Sequence, residues 1–405
     1  MKKDEIISAY NDYLLATYTR LPAIFVKGKG SLLTDIDGKK YLDFFPGWGV
    51  SNLGHCHPKV MGAVREQIGK LIHIPNNLMN PFQAKLAKEL IRISFPGKIF
   101  FCNSGAEANE AAIKFARAYG AGERYEIITT ENSFHGRTMG ALTATGQHKH
   151  QKGFGPLLPG FKTVPFNDYK AIENAVTEKT IAINLELIQG EGGINIASKE
   201  YIQDLRSLCD RKNILLIVDE VQTGMARTGE MFCYKHYGIT PDIMCLAKAL
   251  GGGLPIGAMI VKRELADVFK PGMHGSTFAG SPFICKAALG VIRAIHSDKI
   301  LSNVKKMGPY LIKKLEELKS KYGIIKEVRG VGLMVGVELT MPADSIFKEC
   351  FEHGLIINCT QGNVLRIMPA LNVTRAQINK AMFILDKALE HAALKETVVA
   401  GSKPA

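Results

Sequence analysis

The chain has 405 residues, 46% of them hydrophobic and 22% charged, which suits an ordinary globular protein with two or three domain-sized units and a large core. No apolar run reaches the ~18 residues that a membrane span needs, MKKDEIISAYNDYLL lacks the apolar stretch of a secretion signal, and the eight cysteines show neither CxxC nor zinc spacing, so reduced cytoplasmic thiols and no metal are expected. Lys and Arg outnumber Asp and Glu by 51 to 38, a net charge of +13, but they are scattered and not interleaved with aromatics, so the surface reads as friendly to anionic small molecules and not as a nucleic-acid face.

In chain order, DIDGKKYLDF reads as a hairpin. IFFC (99–102) is a short apolar strand followed by a helix with Ala108, Ala111, Ala112 and Phe115 on one face. EIITT (126–130), IAINLEL (181–187), ILLIVDE (214–220) and DIMCLA (242–247) follow as further apolar strands, with helical stretches such as KEYIQDLRSLCDRK between them. Buried strands alternating with helices predict an α/β fold: a large domain with a mostly parallel central sheet covered on both faces. The last third differs. VGLMVGVEL alternates as a half-buried strand with one wet face, and TRAQ (374–377) is a capping box for a last helix, which predicts a smaller α+β domain. The expected organisation is an N-terminal segment 1–50 packing with the small domain, a large domain 51–290, a small domain 291–395 and a disordered tail 396–405.

In such sheets ligands sit beyond the carboxyl ends of the strands. Five strand ends lead into polar or glycine-rich stretches: NSGAEANE, FHGRT, IQGEGG, DEVQTG and Lys248 with its three following glycines. Ser104-Gly105-Ala106 opens a helix and can hold an anion on free backbone N–H groups; read alone, it is as well explained by a plain helix cap. Asp219 ends an apolar strand and Lys248 ends the next, so both emerge on one edge. A buried lysine has a lowered pKa and a reactive amine. With a carboxylate to hold a ring N–H and a phosphate cradle beside it, the set matches pyridoxal 5'-phosphate.

FCNSGAEANEAAIKFAR, FHGRT, IQGEGG, VDEVQTGMARTG, AKALGGGLPIGAM, HGSTFAGSP, VRGVGLMVGVEL and LRIMPAL occur in this order, and from about residue 20 to 390 the chain resembles the class III (fold type I) pyridoxal-phosphate aminotransferases. The resemblance implies roles by position. Lys248 would bond to the coenzyme and then shuttle protons; Asp219 would hold the pyridine nitrogen. Phe134 would stack on the ring, Val221 pack behind it and Gln222 bond its phenolic oxygen, while Gly105 and Ala106 hold the phosphate. Thr277 would add a phosphate contact across a homodimer interface, and Ser276 would line the substrate pocket. Arg137 would take the α-carboxylate of the amino donor, and Arg366 that of 2-oxoglutarate or glutamate. Glu186 would pair with Arg366 while the donor is bound and release it for the acceptor.

Within the class, YLDFFPGWGVSNLGHCHPKV, FHGRT, HGSTFAGSP and RGVGLMVGVEL are most similar to the members acting on N-acetylornithine in arginine biosynthesis, which implies that donor, with sister donors succinyldiaminopimelate, ornithine and 4-aminobutyrate as alternatives. More distant alternatives are an aminomutase or decarboxylase and a non-catalytic binding protein. Leu187, Ala226, Ala279 and Ser281 depart from the usual pattern without removing a reactive group. Trp48, the only tryptophan, falls where the pocket entrance is expected and would narrow it or stack on an acyl group.

Overall fold

The computed structural model describes the backbone of residues 1–401 and the side chains through Leu394. Its centre is a seven-stranded sheet in the order Gly97–Cys102, Gly257–Lys262, Ile243–Leu246, Leu215–Asp219, Thr180–Leu185, Glu126–Thr130, Phe161–Val164. Only Gly257–Lys262 runs antiparallel to its neighbours. Alternate residues serve opposite faces: Leu216 and Val218 join one apolar cluster, Leu215 and Ile217 the other. Burial on both sides explains why these strands read as continuous apolar runs, each such side chain contributing about 1.5–3 kcal/mol. Helix Gly105–Tyr119 lies against the second face through Ala108, Ala111, Ala112, Phe115 and Ala116, all fully or almost fully buried. Four alanines in that stripe let the helix axis approach the sheet closely.

A second, antiparallel sheet follows the order Ile325–Val331, Met334–Leu339, Val364–Ile367, Asn358–Thr360. The alternating VGLMVGVEL is a hairpin and not a single strand. Gly332, at φ 61, turns the chain, and Met334–Leu339 is buried on both faces apart from the partly exposed Glu338. The capping box forms as expected, with Thr374 N donating to Gln377 Oε1 (2.9 Å) and Gln377 N to Thr374 Oγ1 (3.3 Å). The helix it opens, Arg375–Gly401, carries the backbone past residue 396, where the tail was expected to begin; the remainder of that tail, 402–405, lies outside the described residues.

The N-terminal hairpin pairs Leu32–Asp35 with Lys40–Asp43, and the latter adds Leu355–Ile356 as a parallel neighbour, so the first fifty residues share a sheet with the last sixty. Residue 290 lies inside helix Pro282–Ser297; the break in the chain falls after it, at Lys299, whose φ is 53. Among the described residues no helix is long and apolar enough to cross a membrane.

Candidate active site

A cavity of about 490 Å³ opens at the carboxyl end of the large sheet. Asp219 and Lys248 reach it from adjacent parallel strands, in which Asp219 pairs with Cys245. Lys248 sits at φ 44, strained for a residue with a Cβ. The turn it begins is completed by Gly252 (φ 58) and Gly253 (φ 117), conformations that explain the glycines after it. Among the described residues the Lys248 amine has no hydrogen-bond or ion-pair partner. Burial holds its pKa below the usual lysine value, against the opposing charges of Glu191, Asp219 and Glu186.

Asp219 is held at both oxygens. Val221 N donates to Oδ1 (2.9 Å), while Asn109 Nδ2 (2.8 Å) and His135 Nδ1 (2.9 Å) converge on Oδ2. Donors alone surround it, as suits a carboxylate. Among the described residues His135 Nε2 is buried without a partner. Phe134 and Val221 both line the cavity; the Arg137 guanidinium lies over the Phe134 ring at 5.5 Å and is otherwise exposed. Gln222 donates Nε2 to the Trp48 carbonyl (3.3 Å) and leaves Oε1 buried and unpartnered.

Ser104 caps helix Gly105–Tyr119 by accepting from Glu107 N (3.1 Å), and Glu107 reaches back to Asn103 N (2.7 Å). Among the described residues the N–H groups of Gly105 and Ala106 have no partner, and they lie at the cavity wall, at the positive end of the helix. A Cβ on Gly105 would sit 2.8 Å from Val221 Cγ1, and one on Gly136 would sit 2.7 Å from the Ala106 Cβ. The cradle is closed to anything larger than these residues.

The expected Glu186–Arg366 ion pair does not form. Glu186 Oε2 accepts from Phe134 N (2.9 Å) and Oε1 from Gly190 N (3.3 Å). It follows directly on strand Thr180–Leu185 and stays enclosed against the large sheet. Burial, reinforced by the charge on Asp219, raises its pKa to about 7. Arg366 pairs instead with Glu191, Nη1 to Oε1 at 2.8 Å and Nη2 to Oε2 at 3.1 Å. Glu191 rides on the glycine-flanked tip 190–193, which meets the small sheet. Burial opposes its ionisation, yet the Arg366 charge holds its pKa below the usual carboxylate value. Arg366 is fully buried on strand Val364–Ile367, opposite Gly336 and Asn358; Nε donates to Asn358 Oδ1 (2.7 Å), and the guanidinium stacks over Phe45 at 4.7 Å.

The structure thus brings Lys248, Asp219, Glu186, Gly105, Ala106, Phe134, Val221, Gln222 and Arg137 to one cavity. Arg366 stands behind its wall and reaches it through Glu191. Ser276 lies one residue outside, its Oγ accepting from Asn103 Nδ2 (3.0 Å), and the neighbouring Thr277 is exposed on the surface. Trp48, half exposed at φ 55, packs edge-on against Phe45 beside the opening. Sequence reasoning missed Glu191, Asn109 and His135. Glu191 was legible as the second acid of ELIQGE; His135 and Asn109 were legible only as polar residues inside FHGRT and the apolar face of a helix.

The model of the aminotransferase class-III family matches residues 13–389. The chain is a class III aminotransferase. It is 51% identical to the acetylornithine aminotransferase of Methanocaldococcus jannaschii, over 96% of this chain and 98% of that protein, and 46% identical to that of Aquifex aeolicus, over 93% and 100%. Among solved structures, the ornithine aminotransferase of Toxoplasma gondii superposes with a TM-score of 0.94 at 31% identity, covering 98% of this chain and 96% of that one. The acetylornithine aminotransferase of Elizabethkingia anophelis gives a TM-score of 0.86 at 30% identity, over 96% and 100%. Enzymes of this class use pyridoxal phosphate, and this aminotransferase does too. Its own atoms fit that coenzyme: an unpaired buried lysine, a carboxylate with a free approach at a strand end, a helix N-terminus tightened by Gly105, and an orphaned Gln222 oxygen.

Proposed function

We propose that this aminotransferase moves the δ-amino group of N-acetyl-L-ornithine to 2-oxoglutarate, giving N-acetylglutamate 5-semialdehyde and glutamate, as a homodimeric cytoplasmic enzyme of arginine biosynthesis. The observation that carries the donor is the 51% identity, over nearly the whole of both chains, to a protein named acetylornithine aminotransferase. The pairing of buried Arg366 with the partly exposed Glu191 supports the two-substrate cycle.

Pyridoxal phosphate supplies an electrophilic carbonyl and an electron-withdrawing ring. Lys248 would hold it covalently and then take and return the proton at the substrate carbon; its lowered pKa keeps the amine available. Asp219, fixed by Asn109 and His135, would face the ring nitrogen. Phe134 and Val221 would hold the ring from its two sides, Gln222 would meet the phenolic oxygen, and Gly105 and Ala106 the phosphate. Thr277, exposed on the 275–278 loop, would complete the phosphate site of a second subunit, and Ser276 would border the substrate. Arg137 is free to receive the donor's α-carboxylate. Glu191, not Glu186, would neutralise Arg366 while the donor is bound and give way to the α-carboxylate of 2-oxoglutarate or glutamate, whose planar shape the guanidinium fork matches. Glu186 positions the Phe134 segment.

The test takes the two half-reactions separately. Mixing coenzyme-loaded enzyme with N-acetylornithine alone should bleach the visible band, and 2-oxoglutarate should restore it. Faster bleaching by ornithine, succinyldiaminopimelate or 4-aminobutyrate would reassign the donor and leave the transaminase chemistry standing.

A further inference from the structure

The tip that carries Glu191 is held at Gly190 N by Glu186 Oε1 (3.3 Å) and at the Gly192 carbonyl by Asn195 Nδ2 (3.0 Å), and its other carbonyls are held by the small sheet. Thr360 Oγ1 (2.7 Å) and Gln361 Nε2 (2.8 Å) both donate to the Glu191 carbonyl, and Arg366 Nη1 donates to the Gly190 carbonyl (3.0 Å). On the far side, Arg329 donates to the Gly193 carbonyl through Nη2 (2.7 Å) and Nε (3.0 Å), and Arg329 is itself fixed by Glu338 (2.5 Å) and Glu327 (2.7 Å).

The backbone under this grip is strained. Ile194, buried and β-branched, stands at φ 59, and Gln361 stands at φ 52. A β-branched residue adopts such a conformation only where its surroundings impose it. Gly336 makes room for it, since a Cβ there would come within 3.0 Å of the Ile194 Cβ. A tip bound this way has no slack. The Glu191 carboxylate, partly exposed and gripped only by the Arg366 guanidinium, is the one part of the residue free to leave.

We propose that Thr360 and Gln361 are specificity-determining positioning residues: by pinning the Glu191 carbonyl they confine the exchange at Arg366 to a rotation of the Glu191 side chain, so that Arg366 is masked again whenever the bound substrate brings no carboxylate to it. This rests on the reading of Arg366 as the acceptor carboxylate site. Freeing the carbonyl lets Glu191 drift from Arg366. The bare guanidinium then favours dicarboxylates and disfavours a donor that presents only a CH₂–NH₂ end.

The experiment uses the coenzyme-loaded enzyme and the double variant Thr360→Val/Gln361→Asn, asparagine being chosen because it tolerates φ near +50° while its shorter side chain falls short of the carbonyl. Glutarate, which has no group to transaminate, is the calorimetric probe for Arg366; bleaching by N-acetylornithine reports the donor side. With both hydrogen bonds to the Glu191 carbonyl removed, along with the longer one from Gln361 Nε2 to Gln147 Oε1 (3.4 Å), glutarate should bind about threefold or more tightly and donor kcat/KM should fall by a similar factor. Glu191→Gln should shift both in the same directions, and Arg366→Leu should abolish glutarate binding. Wild-type values in the double variant, with both reference variants behaving as stated, overturn the role of Thr360 and Gln361 alone. A parallel loss of glutarate and donor binding in the double variant reduces the two residues to structural supports and overturns it as well. Unchanged glutarate binding in Arg366→Leu, or no tightening in Glu191→Gln, overturns the reading of Arg366 and the proposal with it.

Discussion

Glu186 and Glu191 are five residues apart and chemically identical, yet the fold gives them opposite electrostatics. Glu186 is buried against the sheet with only backbone donors and a nearby Asp219, and its carboxyl titrates at about 7. Glu191 meets a guanidinium and stays ionised well below neutrality. The first predicts a pH effect on stability. Below the unfolded value of about 4.5 both states hold the Glu186 proton. Between there and about 7 the folded state alone holds it, so the Glu186 contribution to stability declines as pH rises through that window and is level above it. Glu186→Gln lacks this titration. Relative to wild type, the variant should therefore gain stability between pH 5 and pH 8, read from denaturant midpoints at the two pH values. A constant difference between them would remove the raised pKa. The sequence reading singled out Glu186 and passed over Glu191, because which of the two faces Arg366 depends on which one the sheet encloses.

The elements that carry the site were legible because each has a local signature. Ser104 before a small-residue helix start, Asp219 at the end of LLIV and Lys248 before three glycines all declare strand or helix ends by residue type alone. Packing adds what spacing cannot: Gly105 is needed because Val221, from a different strand end, lies against it. Gly105→Val should drive the Val221 side chain into the cradle and weaken coenzyme binding by about tenfold or more, roughly 1.4 kcal/mol, measured by titrating the apoenzyme with pyridoxal phosphate. Unchanged affinity would remove Gly105 and Val221 from the phosphate cradle. The 325–339 hairpin is the counter-example. Its apolar residues continue with a period of two straight through Gly332, so the pattern concealed a turn that a left-handed glycine makes.

Across the whole molecule, an apolar surface surrounds the loop that holds Thr277. Met79 is 99% exposed, and Ile72, Leu78 and Phe278 are more than half exposed. Asn76 ties the 72–79 segment to the 276–279 loop through hydrogen bonds to Ser276 O (3.2 Å) and Ala279 O (2.9 Å), so these residues form one patch. In the homodimer proposed above, a second copy of the chain would cover this patch while bringing Thr277 to the other cavity. Met79→Asp combined with Phe278→Asp should give monomers in sedimentation at micromolar concentration, with loss of retained coenzyme. A monomeric wild-type protein would overturn the shared site.

The sequence by itself determined the α/β architecture, the chain order of the strand ends and the reactive groups on them, because buried strands, helix caps and glycine turns are local matters of residue type and period. It placed Lys248, Asp219, Gln222 and Gly105 correctly at one sheet edge for that reason. Only the tertiary structure decided the pairing of Arg366 with Glu191, the support of Asp219 by Asn109 and His135, and the grip of Thr360 and Gln361 on the Glu191 carbonyl. Those contacts join residues 84 to 175 positions apart; the ones to Glu191 arise where the small sheet meets a loop of the large one, and the ones to Asp219 within the large domain. Their partners are chosen by burial and geometry between segments distant in sequence, which no local pattern encodes.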